Sequence, residues 1–206
     1  MSCVKPLICV FLASWLFFAV AMGAEIEEKV AVATWTEDPI ELDGRLDESG
    51  WTRAIPIGDF IQAMPREGEP ATDPTIVRIL FDQENLYFGV YCYQDPKKIV
   101  VSSLNRDFTT TDNDVFGVAL DTWHDHRNGF IFFIHPGASK EDIQVSNDGL
   151  EFSREWDGIW EVATQVREDG WTAEIVIPLK TLGYSGQSDA IMGVNFKRRV
   201  RHKNED

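Results

Sequence analysis

Basic residues are scarce. Nineteen Lys and Arg stand against 34 Asp and Glu in 206 residues, a formal charge of −15. A protein that tracks phosphates carries a basic footprint, so this balance argues against nucleic acid as a partner and against attachment to anionic lipid by positive charge. Cysteine is scarcer still, with three in the chain, at positions 3, 9 and 92. The first two fall in an N-terminal leader, and Cys92 alone lies in the body of the sequence. A disulfide, a four-cysteine zinc site and a thioredoxin-like pair are therefore excluded within one mature chain. Extended helical periodicity, a Gly-rich phosphate loop, internal repeats and low-complexity linkers are missing as well. What remains is rich in apolar (44%) and aromatic (12%) residues, a composition that excludes disorder, at a length suited to one ordinary domain.

The N-terminus reads as a secretory signal peptide over residues 1–23. Lys5 precedes an apolar run over residues 7–21, and the small residues Ala21 and Gly23 set up cleavage before Ala24. The run is shorter than the roughly 20 residues of a membrane-spanning helix. The expected product, residues 24–206, has 18 basic and 34 acidic residues, a charge of −16. Export to the periplasm, the outer membrane or the exterior follows.

The remainder reads as short strands separated by turns, at residues 30–35, 40–42, 75–82, 86–93, 115–121, 129–135, 143–145, 158–167, 171–178 and 191–200. Leu86, Phe88, Val90 and Cys92 alternate with Tyr87, Gly89, Tyr91 and Tyr93, so each set shares one face of a strand. Trp160, Val162, Thr164 and Val166 face Trp171, Ala173, Ile175 and Ile177 across the turn Glu168-Asp-Gly170. Helix is confined to a turn at residues 47–51, where Asp47 is placed to cap the first amides, and another at residues 179–182 after Pro178. The fold class is all-β, an antiparallel β-sandwich of jelly-roll-like kind.

Several blocks resemble family 9 carbohydrate-binding modules. They are Glu41-Leu-Asp-Gly-Arg-Leu-Asp-Glu-Ser-Gly-Trp51, Val77-Arg-Ile-Leu-Phe-Asp82 with Asn85-Leu-Tyr-Phe-Gly-Val-Tyr91, and Asp114-Val-Phe-Gly-Val-Ala-Leu-Asp121. Asn128-Gly-Phe-Ile-Phe-Phe-Ile-His-Pro-Gly137, Asp169-Gly-Trp-Thr-Ala-Glu-Ile-Val-Ile-Pro-Leu179 and Gly193-Val-Asn-Phe-Lys-Arg-Arg199 continue the likeness in order. The resemblance implies a β-sandwich that binds a mono- or oligosaccharide without catalysis, carries calcium, and belongs to a parent or partner that breaks down carbohydrate. It gives Trp51 a packing role beside Leu42 and Leu46. The nearest likeness is to modules that open long exported bacterial proteins, where an outer-membrane barrel region follows. The last ten residues hold five basic and two acidic side chains. They read either as a solvated strand edge or as the point where a longer protein continues.

Sugars present apolar C–H faces and polar edges, so their sites combine flat rings with hydrogen-bonding side chains. Trp160 and Trp171 alternate with aliphatic residues and belong to the core. Trp123 and Trp156 lie in charged loops and are the candidate platforms, with Trp35 third; Arg154, Asp157, Asn128 and Arg127 are candidate partners at the rim. Asp112 and Asp114 precede one strand, Asp121 and Asp125 follow it, and Asp142 lies further on. They offer hard oxygen ligands for calcium, without the register of an EF-hand and with the pairs at the two ends of the strand not required to serve one ion, and otherwise form a solvated acidic face. His124 and His126 are weighed as transition-metal ligands, and Ser185 and Ser188 lack a nucleophile's setting. Two further readings stay open: a structural or interaction sandwich without a sugar, and a haem-binding relative using a His, Met64 or Met192.

Overall fold

Alternation of apolar side chains along the strands builds two packed sheets. The computed structural model describes residues 29–184 and 191–206, so the leader over residues 1–23, Ser185 and Ser188 lie outside the described residues. The unit Ala31–Asp206 contains β1 (Thr34–Trp35), the five-residue helix α1 (Ser49–Arg53), β2 (Thr75–Phe81), β3 (Asn85–Tyr93) and β4 (Val115–Asp121). It continues through β5 (Gly129–Ile134), β6 (Lys140–Ser146), β7 (Glu151–Ser153), β8 (Glu161–Arg167), β9 (Gly170–Pro178) and β10 (Gly193–Arg199). One sheet has the order β1-β2-β3-β9-β8 and the other β10-β4-β5-β6-β7. The sandwich is antiparallel as expected, apart from the parallel pair β1–β2.

The inner faces are the ones the alternation marks. Leu86, Phe88, Val90 and Cys92 of β3 meet Val77 and Ile79 of β2 and Trp171, Ala173, Ile175 and Ile177 of β9. Phe116, Val118, Leu120, Phe130, Phe132 and Ile134 come from the other sheet, and Trp160 joins them. Each Val, Leu, Ile and Phe among them contributes about 1.5–3 kcal/mol by leaving water. The hairpin register holds, with Val166 opposite Trp171, Thr164 opposite Ala173 and Val162 opposite Ile175. Cys92 is fully buried, and burial pushes its thiol up to about 11, which makes it inert.

On the outer face of the first sheet, the Trp51 indole lies over Gly89, where a Cβ would meet the ring at 2.8 Å. Trp51 Nε1 donates to Glu174 Oε1 (2.9 Å), while Glu174 Oε2 accepts from the backbone N–H groups of Asp43 and Gly44 (3.0 and 2.8 Å). Burial lifts the Glu174 carboxyl above its usual range, against the pull of these donors. Ala54, Leu80 and Tyr87 make up this second cluster with Trp51, and Ile40, Leu46 and Val176 pack against it, so Trp51 has its packing role with Leu46 but not with Leu42.

Several local expectations are corrected. Residues 40–42 form no strand, and β7 forms where none was expected. Glu48, not Asp47, is the helix N-cap, and its side chain makes no capping bond because Oε1 accepts from Glu41 N (2.8 Å). In the basic C-terminal stretch, β10 is an edge strand with Lys197 exposed, but not all of its charge is solvated. Arg198 is buried and donates to the carbonyls of Asp73, Pro74 and Tyr93, to Thr75 Oγ1 and to Gln94 Oε1. Lys197 and Arg199 pair with Asp206.

Candidate functional site

The loop between β4 and β5 is built by two aspartates that accept hydrogen bonds from their own loop. Asp121 Oδ2 accepts from His126 N (2.7 Å) and its Oδ1 from Asp125 N (3.2 Å). Asp125 Oδ1 accepts from Arg127 N and Asn128 N (2.8 and 2.9 Å), and Oδ2 from Asn128 Nδ2 (2.8 Å). These Asn128 and Arg127 donors hold the Asp125 carboxyl below its usual range. Such Asx turns fix a loop with side chains alone.

The fixed loop holds Trp123 outward, 55% exposed, with its ring tilted against Phe130 at 6.1 Å. The indole also crowds Gly183, where a Cβ would meet it at 3.2 Å. An open depression of about 300 Å³ lies beside it, lined by Trp123, Phe130, Asp125, Asn128, Gln144 and Ser146 among others. A flat ring beside carboxylate, amide and hydroxyl groups is the combination a sugar requires. The volume falls at the small end of ligand-pocket size.

The candidate residues divide between this depression and other places. Asn128 lines it with Trp123. Trp156 reaches the same Phe130 ring (4.6 Å) and Phe132 (6.0 Å), half-buried, and closes over Gly158 instead of lining the depression. Trp35 is 43% exposed on β1, at the edge of the opposite sheet, edge-on to Phe81 at 5.3 Å. Arg127 Nε donates to Asp148 Oδ1 (2.5 Å). Asp157 and Asp142 share the guanidinium of Arg106, whose Nη2 lies 2.7 Å from Asp142 Oδ1. Arg154 lies 2.8 Å from the fully buried Glu141, an ion pair without hydrogen-bond alignment. Arg154 also lines a second depression of about 540 Å³ with Ser146, Glu151, Phe152, Ser153 and Glu155.

The carboxylates considered for calcium do not converge. Asp114 is fully buried and accepts from Gln94 Nε2, Val100 N and Arg201 N (2.9, 2.8 and 2.7 Å). Asp142 accepts from Arg106 and from Gly158 N, Asp121 and Asp125 serve their loop, and Asp112 is exposed in a 3-10 turn. Among the described residues no three carboxylate, imidazole or thiol groups are grouped as a metal centre requires. His124 and His126 are neighbours (ring centroids 4.7 Å apart) on the exposed loop. His135 is buried, accepts from Gly137 N at Nδ1 (2.9 Å) and packs edge-on to Phe108 (4.5 Å); burial pushes its pKa down.

Phe130, Gln144, Ser146 and Phe152 did not stand out in the sequence. Phe130 alternates like any core residue, whereas Phe152, a lone ring between Glu151 and Ser153, carried a usable signal.

No family model matches the chain, and no curated protein matches it in sequence. Similarity is found in solved structures. A family 9 carbohydrate-binding module from Caldicellulosiruptor kristjanssonii in complex with cellotriose has a TM-score of 0.58 at 17% identity, over 82% of this chain and 76% of that one. The same organism's family 9 module in complex with glucose gives 0.54 at 16%, over 82% and 78%. A putative carbohydrate-binding protein from Bacteroides uniformis gives 0.65 at 10%, over 84% and 85%. The chain thus has a carbohydrate-binding-module-like β-sandwich fold.

Proposed function

We propose that this chain is a non-catalytic module that binds carbohydrate at the Trp123 depression. The observation that carries this reading is an exposed indole fixed by its own loop, beside the hydrogen-bonding groups of Asp125, Asn128, Gln144 and Ser146. The indole offers a flat apolar face to the C–H side of a pyranose. The Asp125 carboxylate accepts hydrogen bonds from hydroxyls, and Gln144 both donates and accepts. Support comes from the fold, which is shared with modules in complex with glucose and cellotriose. Calcium has no step in this reading.

The test is isothermal titration of the full chain with glucose, cellotriose and a wider sugar panel. Saturable heat in the micromolar to millimolar range is expected, with binding lost in Trp123→Ala while its melting temperature stays near that of the parent. Unchanged affinity in Trp123→Ala would overturn the site. Flat traces for every sugar would move the reading to an interaction domain.

A further inference from the structure

The loop that fixes Trp123 also carries two exposed imidazoles that do not line the depression. His124 and His126 both sit in the left-handed backbone region, at φ 51° and 56°. Asp121 holds both there, its carbonyl oxygen accepting from His124 N (3.4 Å) and its Oδ2 from His126 N (2.7 Å). That conformation is costly for residues with side chains and persists where the surrounding structure imposes it. Here it accompanies two rings brought side by side, their centroids 4.7 Å apart and their planes tilted at 57°. Neither ring has a hydrogen-bond or ion-pair partner among the described residues, so each neutral imidazole keeps a lone pair for a ligand.

The separation is the one a shared metal ion imposes. Imidazole nitrogen binds such an ion at about 2.0–2.1 Å, which puts the ring centroid about 3.2 Å from the metal. Two rings on neighbouring coordination positions, at about 90–109°, then have centroids about 4.5–5.2 Å apart. Face-to-face rings could not both hold one ion in their planes, whereas tilted rings can. The local field favours a cation. The carboxylates of Asp121 and Asp125 stand in the same loop, its one basic neighbour Arg127 is paired with Asp148, and the chain carries −15 overall. Two donors make no permanent centre, but with water in the remaining positions they make an exchangeable one.

We propose that His124 and His126 form a two-imidazole chelate for an exchangeable divalent transition-metal ion of the copper, nickel or zinc class. The site is separate from the carboxylates considered for calcium, and it does not rest on the Trp123 reading. Borderline nitrogen donors select these ions over magnesium and calcium, which take hard oxygen ligands.

The test is calorimetric titration of the full chain with Cu2+, Ni2+, Zn2+, Mg2+ and Ca2+, its thiols alkylated beforehand so that Cys3 and Cys9 do not compete. One copper ion per chain is expected, bound more tightly than nickel or zinc, with no saturable heat from magnesium or calcium. His124→Gln and His126→Gln should each weaken copper binding by about tenfold or more, with the melting temperature in chelator unchanged. Electron paramagnetic resonance of the copper form should show two nitrogen donors in the parent and one in either variant. Absence of binding, copper held at parent affinity by either variant, a single nitrogen donor in the parent, or magnesium and calcium bound as well as copper would overturn the proposal. The resonance spectrum of the unaltered chain needs no variant, so the proposal is decided even if a substitution disturbs the loop.

Discussion

Two buried glutamates face different surroundings, and the difference is measurable. Glu174 is held by an indole and two backbone donors, whereas Glu141 has only Arg154 beside it. Burial raises the Glu141 carboxyl above its ordinary value of 4.5, with Asp107 and Asp142 adding to the rise and Arg154 opposing it. A raised folded pKa means that the folded state holds the proton more firmly than the unfolded chain. The resulting stabilisation is complete below that ordinary value and is lost as pH rises through the folded one. Glu141→Gln should therefore flatten the part of the stability curve that rises from neutral pH toward pH 4.5. Urea denaturation across that window checks it, and a variant curve parallel to the parent's would refute it. Glu174 was legible only as an outward position of an alternating strand, because its partners lie some 130 residues away.

The loops explain both what the sequence revealed and what it concealed. Strands with apolar alternation and flanking turns, such as β3, β4 and β9, were found to within a residue or two. β7 was missed because Glu151, Phe152 and Ser153 are all exposed and carry no inward set. Residues 40–42 alternate like a strand, yet Ile40 packs on the Trp51 cluster as part of a loop. The acidic loops announced a metal because composition shows charge without showing its counter-charge. Arg106 is that counter-charge for Asp142 and Asp157, backbone amides serve Asp121 and Asp125, and Asp114 is held by the Gln94 amide with two backbone N–H groups. Calcium or a chelator is thus expected to shift the melting temperature by less than about 1 °C, since loss of a real site would move it by several degrees. Arg106→Ala, which leaves the buried Asp142 facing one N–H, should cost about 2 kcal/mol, less than a fully buried pair because Arg106 is partly exposed. A clear rise in melting temperature of the parent chain on adding calcium would restore the metal reading.

Over the whole molecule, long-range pairings dominate, and the last strand is the most demanding of them. β10 forms one edge of its sheet by pairing with β4. Its Arg198 reaches across to carbonyls between Asp73 and Tyr93 on the side of the first sheet, and Asp114 receives Arg201 N. Glu205 accepts from Thr72 N and Oγ1, and Asp206 meets Ala63, Lys197 and Arg199. For a chain made from the N-terminus onward, this arrangement sets a clock. Everything up to residue 195 is synthesised before the guanidinium that ties the sheets together exists, and pairings of such separation form slowly in any case. A ribosome-stalled chain carrying residues 1–195 on a spacer is expected to be cut rapidly by protease, and one carrying all 206 residues on the same spacer to resist. The sandwich is therefore completed only once β10 is in place, whatever the order in which the earlier strands pair.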